Sequence, residues 1–238
     1  MVTVFGSAAE TELRPEFEML VWNVLKGDRR PQWDRDFSEL TRTADVILLQ
    51  EGMINDHMPG ALKAVPGAEW HFVTSFIYDK NNEHTGVIGG TKAKPAKVLG
   101  LRSPGREPIL NTPKTSVAIW LNVEGGRPNI LFVGVHGINF RDNQSFQDHM
   151  TQNLKLVSSH QGPVVFAGDF NTWNAGRLNW LDAETVRLGL QRVSLDSDDR
   201  RVKLDHVYVR GLGWKSASLL PHIKSSDHSP IRVKFAVD

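Results

Sequence analysis

Four apolar runs in this chain each stop at a residue able to bind a metal or move a proton. Met19-Leu20-Val21-Trp22 stops at Asn23, and Val46-Ile47-Leu48-Leu49 at Gln50-Glu51. Leu131-Phe132-Val133-Gly134-Val135 stops at His136, and Val164-Val165-Phe166-Ala167 at Gly168-Asp169. The runs are apolar on consecutive residues, so the strands they predict are buried on both faces. Between them the period changes. Trp33, Phe37 and Leu40 predict an amphipathic helix over 32–42. Met58, Leu62 and Val65 predict a short helix ended by Pro66-Gly67; Phe146, Met150, Leu154 and Val157 predict a helix over 143–160; Leu178, Leu181 and Thr185 predict another. Further strands are expected over 70–78, 86–91, 97–102, 115–123, 129–136, 204–209, 214–220 and 231–237, with a hairpin turn at Glu124–Arg127.

Helices separated by hairpin-linked and crossover strands indicate the α/β class with a mixed sheet. Two packed sheets with helices outside would bury both strand faces, and so would one mixed sheet with helices on either side. There is no internal repeat, low-complexity tract or Pro/Ser-rich linker. The expected organisation is an N-terminal extension over 1–17 and a single domain over 18–238.

Composition narrows the chemistry. The 238 residues carry 28 Lys+Arg against 27 Asp+Glu, a net charge of +1, which leaves room for a local basic rim but does not demand one. Cysteine is absent, which excludes disulfides and thiolate metal sites. A metal here must take oxygen or imidazole ligands, which favours Mg²⁺, with Mn²⁺ or Ca²⁺ as alternatives. No run is long and apolar enough to span a bilayer, and the N-terminus lacks a basic start followed by an apolar stretch. A cytoplasmic monomer without membrane insertion is the default expectation.

Phosphodiester hydrolysis must offset phosphate charge, deprotonate a water and stabilise the leaving oxygen. Mg²⁺ is usually held by one or two carboxylates plus water and substrate oxygens, and Glu51 with Asn23 meets that need. His228, in Ser226-Asp227-His228, is the candidate general base, and Asp205 is the carboxylate expected to fix its tautomer. Asp169 and Asn171 lie two apart on a segment read as extended, so they point the same way. Asp169 can then position the attacking water, and Asn171 can hydrogen-bond the phosphate.

As an ordered set, Asn23, Gln50-Glu51, Gly168-Asp169-Phe170-Asn171, Leu204-Asp205 and Ser226-Asp227-His228 resemble the endonuclease/exonuclease/phosphatase (DNase I-like) superfamily, from about Met19 to the C-terminus. The segments Trp22-Asn23-Val24 with Lys26, His136 with Asn139-Phe140, Gly168 to Trp173, and Tyr208-Val209-Arg210-Gly211 are most similar to its bacterial YafD-like branch. The resemblance implies a four-layered α/β-sandwich of two packed mixed β-sheets flanked by helices, with the site at one edge. It implies metal binding by Asn23, Glu51 and Asp227, and catalysis by Asp169, Asn171, Asp205 and His228. It further implies a phosphate-contacting His136, with Asn139 on the substrate side. Lys114 falls where the family carries a phosphate-binding cation, and Glu83 is the nearest counterpart to the carboxylate that partners such a histidine. Trp173 is expected either in the core or beside the pocket, stacking on a base or lipid headgroup.

Taken singly, each of these residues has an ordinary alternative: Glu51 a strand-end charge, Asp169 a turn residue, Asn171 a helix cap. Jointly, Glu51, Asp169, Asp205 and Asp227 are carboxylates that the resemblance places round one pocket, which calls for a cation or a raised pKa. His57, His71, His149, His160, His206 and His222 are expected outside the site, and Asp45 ends a helix-to-strand turn. The charge run Asp196–Arg201 and the pair Arg29-Arg30 are expected to be solvated. The function expected is a metal-dependent nuclease, a hydrolase with nucleic acid, foremost DNA, as substrate. The alternatives are a phospholipid or phosphorylated small-molecule phosphodiesterase of the same fold, and a scaffold protein that keeps the fold without catalysis.

Overall fold

Alternation within the apolar runs decides how the layers stack. Met19 and Val21 join one buried cluster, and Leu20 and Trp22 join another on the opposite side of the same strand. The structure, a computed structural model, describes residues 2–108 and 111–237. Its first half comprises β1 (Val2–Gly6), β2 (Glu16–Asn23), α1 (Gln32–Thr43), β3 (Val46–Ile54), α2 (Met58–Lys63), β4 (Glu69–Ile77), β5 (His84–Thr91) and β6 (Pro95–Arg102). The second half comprises β7 (Thr115–Val123), β8 (Arg127–His136), α3 (Asn143–Ser159), β9 (Val164–Asp169), α4 (Ala175–Arg187), β10 (Gln191–Arg192), β11 (Asp205–Arg210), β12 (Gly213–Leu219) and β13 (Ile231–Ala236).

The strands form two sheets, ordered β1-β4-β5-β3-β2-β13-β12 and β10-β11-β9-β8-β7-β6. Both are mixed: β2–β3 is parallel in the first and β8–β9 in the second, and the other pairings are antiparallel. Val46, Leu48, Val73 and Val87 of the first sheet meet Val117, Ile119, Phe132, Val165 and Val207 of the second in a central core. Trp33, Phe37 and Leu40 of α1, with Met58 and Leu62 of α2, cover the other face of the first sheet against Ile47, Leu49, Trp70 and Phe72. Phe146, Met150 and Leu154 of α3, with Leu181 of α4, cover the second against Leu131, Val133 and Phe166. The protein is therefore a four-layered α/β-sandwich, and the single-sheet alternative is set aside.

Two points differ from the sequence expectation. The segment 1–17 does not stand apart as an extension. Its β1 pairs with β4 from Val2↔Val73 to Gly6↔Glu69, Leu13 is buried, and the Arg14 guanidinium donates to Asp45 at 2.9 Å. The third strand also does not stop at Gln50. It runs on to Ile54 through a register shift between Leu49 and Gly52.

Candidate active site

The two parallel pairs end at the same edge. Asn23 is aligned with Gln50 in one sheet, and His136 with Asp169 in the other. Sheet packing closes the gap: Asn23 Nδ2 donates to Asp169 Oδ2 at 3.1 Å and to Glu51 Oε1 at 3.4 Å. A regular strand would send neighbours Gln50 and Glu51 to opposite faces. Instead Gln50 is fully buried, with its amide donating to Leu48 O, and Glu51 sits in the bulge with φ 53°. A bulge inserts a residue and re-aims the side chain. The left-handed backbone costs a residue with a Cβ about 1–2 kcal/mol.

Asn171 reaches the site differently from expectation. Its φ is 54°, so the segment is turned rather than extended. The Asp169 carboxylate accepts its backbone N–H at 3.0 Å, a local turn of the kind Asp favours, and its Nδ2 donates to Gly137 O at 2.9 Å.

Asp205 opens β11 opposite Asp169. His228 Nδ1 lies 2.9 and 3.0 Å from its two carboxylate oxygens, and His228 Nε2 lies 3.9 Å from Asp169 Oδ2. The preceding turn is pinned from several sides. Ser226 Oγ donates to Asn23 O at 2.7 Å and accepts His228 N at 3.2 Å, and Trp22 Nε1 donates to His228 O at 3.1 Å. Arg29 Nη1 donates to Lys224 O and Ser226 O at 2.9 and 2.8 Å. Arg29 and Arg30 are exposed as expected, yet Arg29 braces this turn and Arg30 pairs with Asp34.

Charge and burial set the protonation of the group. Burial pushes Asp169 up, the Asp205 charge pushes further, and His228, Asn171 N–H and Asn23 oppose, leaving it at about 7. Burial alone would lower His228, but its hydrogen bond to Asp205 and the charges of Asp205, Asp169 and Asp227 outweigh that and raise it to about 9. His136 is held neutral, well below its ordinary value, by burial first and then by Lys114, His228, His149 and Lys26.

His136 Nε2 lies 3.7 Å from Asp169 Oδ2 and 3.9 Å from Glu51 Oε1. Glu83 does not partner it: it is half-buried in the β4–β5 turn and accepts from Asn81. Lys114 pairs instead with Glu107 at 3.4 Å, and the same Glu107 oxygen accepts Asn139 N at 2.8 Å. Asn139 therefore meets the site through its backbone, while its side-chain oxygen accepts Phe140 N. Lys26, Glu51, Glu107, Lys114 and His136 line a cavity of about 150 Å³ beside the strand ends. Trp173 is 47 % exposed on the loop after β9, which excludes the core placement. Asp227 is exposed beside His228, and its carboxylate accepts from Ser226 Oγ at 3.3 Å. His206 turns to Thr172 Oγ1 and Lys203 O, away from the dyad.

The donor set fits a hard divalent cation. Ligand atoms of Asp169, Asp205 and His228 lie within 4.8 Å of one another, and Glu51 adds a further carboxylate. A buried Asp169 raised towards neutrality is the remedy a carboxylate cluster takes when no cation offsets it. Asn23 presents N–H to both carboxylates and its oxygen to Leu25 N at 3.2 Å, so it becomes an oxygen ligand only with the amide turned over.

Three residues here escape motif logic. Arg200 forks onto Asp198 at 2.8 and 3.1 Å and brings Nη1 to 3.5 Å from Asp205 Oδ2, so part of the charge run expected in solvent backs the dyad. Glu107 and Arg177 are the others. Arg177 is fully buried and donates to Ile138, Asn171 and Arg141 carbonyls at 2.8–2.9 Å. A run of charges gives no sign of which member turns inward, although Asn174 capping α4 could have marked Arg177 as a first-turn residue beside the site.

Comparison with known proteins agrees with this fold. A UPF0294 protein of Vibrio cholerae serotype O1 is 30% identical over 230 residues, covering 94% of this chain and 79% of its own. An endonuclease/exonuclease/phosphatase from Beutenbergia cavernae superposes with a TM-score of 0.73 at 14% identity, over 93% of this chain and 72% of that one. ANGEL2, a 2′,3′-cyclic phosphatase crystallised with adenosine-2′,3′-vanadate, superposes with a TM-score of 0.71 at 15% identity, over 93% and 96%. No helix among the described residues is long and apolar enough to cross a membrane. The family model for Endonuclease/Exonuclease/phosphatase proteins matches residues 20–228, from the second strand through His228, and the chain belongs to this family of phosphoric ester hydrolases.

Proposed function

We propose that this protein is a divalent-metal-dependent phosphodiesterase that cuts nucleic acid, DNA foremost. The observation that carries this reading is the His228–Asp205 pair, whose outer nitrogen faces Asp169 where Asn23 and Glu51 converge. Asp205 holds Nδ1–H, and once a bound cation offsets the carboxylate charges that raise His228, Nε2 is open to take a proton from the attacking water. Asp169 orients that water. Glu51, Asp169, Asp227 and a turned Asn23 would hold Mg²⁺ or Mn²⁺, which when bound offsets phosphate charge and stabilises the leaving oxygen. The second amide hydrogen of Asn171 and the Lys114 ammonium address the phosphate oxygens. His136, kept neutral by burial, acts as a hydrogen-bond donor to phosphate rather than as a proton source. ANGEL2, crystallised with adenosine-2′,3′-vanadate, gives an example of a nucleotide phosphoester taken by a protein of this fold.

The test is hydrolysis of plasmid DNA, single-stranded DNA, RNA, sphingomyelin and inositol phosphates with Mg²⁺ or Mn²⁺. Nucleotide release by the wild type, lost in Asp169→Ala and His228→Ala, is expected. Cleavage confined to lipid or sugar phosphates, or equal in wild type and Asp169→Ala, refutes the proposal.

A further inference from the structure

Phe140, 68 % exposed, and Trp173, 47 % exposed, are both large aromatics left in solvent, and both sit on loops leaving the catalytic strand ends. Phe140 follows β8 by four residues, and Trp173 follows β9 by four. Neither ring adds to a core, so the hydrophobic effect argues against leaving them bare unless something covers them.

The loops that carry them are built with unusual care. Arg177, on the first turn of α4, is fully buried between two rings, 4.8 Å from the Phe146 centroid and 4.7 Å from that of Trp173. The same guanidinium donates to Ile138 O, Asn171 O and Arg141 O. One side chain therefore joins the loop bearing Phe140, the loop bearing Trp173 and the backbone of Asn171. Burying a guanidinium is expensive, and its return here is a fixed position for the Trp173 ring relative to Asn171. Arg177 covers the inner face of the indole, which leaves the outer face open. Phe140 is displayed by a left-handed backbone, φ 50°, and His149 Nδ1 accepts Ile138 N at 3.2 Å behind it.

Resting on the phosphodiesterase reading, we propose that Trp173 and Phe140, held by Arg177, form a stacking platform for unpaired bases flanking the scissile phosphate, and that the substrate is single-stranded nucleic acid. A flat ring with one free face suits a base, whose π-face is offered whatever its identity. In a duplex both faces of each base are already stacked, so the platform has no purchase there. Lys26 and Lys114, which share the adjoining cavity with Glu51 and Glu107, and Arg141 next to Phe140 offer cations to the backbone phosphates of a strand laid across it.

The experiment compares a single-stranded oligonucleotide, its blunt duplex, and an abasic strand of equal length carrying the same sugar-phosphate backbone, each with Mg²⁺ or Mn²⁺. The wild type should prefer the base-bearing single strand to both others. Trp173→Ala should reduce that preference about tenfold, through KM, given the usual worth of one base–aromatic stack. Phe140→Ala should reduce it less, and Trp173→Phe should restore most of it. A fold defect in Trp173→Ala would lower cleavage of all three alike, and Phe140→Ala then decides. Strand binding in EDTA, by anisotropy, separates the two readings. If no strand is cut yet binding depends on Trp173, the platform stands and the nuclease reading falls. A preference unchanged in both alanine variants, a duplex preference in the wild type, or loss of binding to anionic vesicles instead of oligonucleotide overturns the platform.

Discussion

At the residue scale the Asp205 carboxylate has two partners with different duties. His228 takes its oxygens at 2.9 and 3.0 Å, and Arg200 approaches Oδ2 at 3.5 Å while donating to Asp205 O at 3.2 Å. Asp205→Asn keeps the shape but offers an amide N–H or a weaker acceptor to Nδ1, so the imidazole loses its fixed tautomer. Its kcat should fall on the order of 10⁴-fold, the scale seen when a catalytic histidine loses its orienting carboxylate. Arg200→Met should cost less, about tenfold in kcat with KM little changed, because it only loosens the carboxylate. Steady-state kinetics on the same strand separate the two, and Arg200→Lys should recover part of the loss. Equal losses in both variants would show that Arg200 acts through folding. Asp205 was legible in the sequence because it stands at the start of an apolar strand in an ordered motif. Arg200 was not, since the charge run Asp196–Arg201 has no periodicity to say which side chain turns inward. Glu107 was equally hidden, in a loop whose contacts with Lys114 and Asn139 span distant parts of the chain.

At the element scale the site depends on two parallel strand pairs ending level. The apolar runs announced those ends, because strands buried on both faces need apolar residues throughout and can tolerate a polar one only where the layer stops. The bulge at Glu51 was not announced, since a left-handed glutamate has no sequence signature of the kind glycine provides. Neither was β1, whose five residues pair only at a sheet edge. Gly168 is the element-level counterpart of these details. Its φ is 141°, and a Cβ there would lie 2.0 Å from Val135 O on the neighbouring parallel strand. Gly168→Ala must either strain the backbone or part β8 from β9, which are in register at Val135↔Gly168 and His136↔Asp169. The expected destabilisation is about 3 kcal/mol, at the severe end for one methyl group. Urea denaturation measures it, and activity should fall further than stability because Asp169 and His136 shift together. A variant with unchanged denaturation midpoint would show that the strand pair yields more easily than its packing implies.

For the whole molecule, the layers bury two groups whose protonation opposes the charge the site needs, and this couples stability to pH and cation. His228 is raised from 6.5 to about 9, so its contribution is complete below pH 6.5 and disappears as pH rises through about 9. Asp169 is raised from 3.8 to about 7, so it too favours the fold at low pH and loses that advantage as pH climbs from 3.8 through about 7. Both slopes have the same sign. In EDTA, Tm should therefore fall steadily from about pH 5 to pH 9. Other titrating groups contribute to any such curve, so the diagnostic is the difference from Asp169→Asn and His228→Asn. The first should flatten the acid half of the slope, and the second the alkaline half. On the proposed reading Mg²⁺ or Mn²⁺ would bind the deprotonated carboxylates and compete with these protons, so its stabilisation should be small at pH 5.5 and larger at pH 8.5, growing with cation concentration as RT ln(1 + [L]/Kd). Differential scanning calorimetry across pH, with and without cation, measures all of this on one protein. A cation effect independent of pH, or one that survives unchanged in Asp169→Asn, would mean that the ion binds elsewhere than at the strand ends.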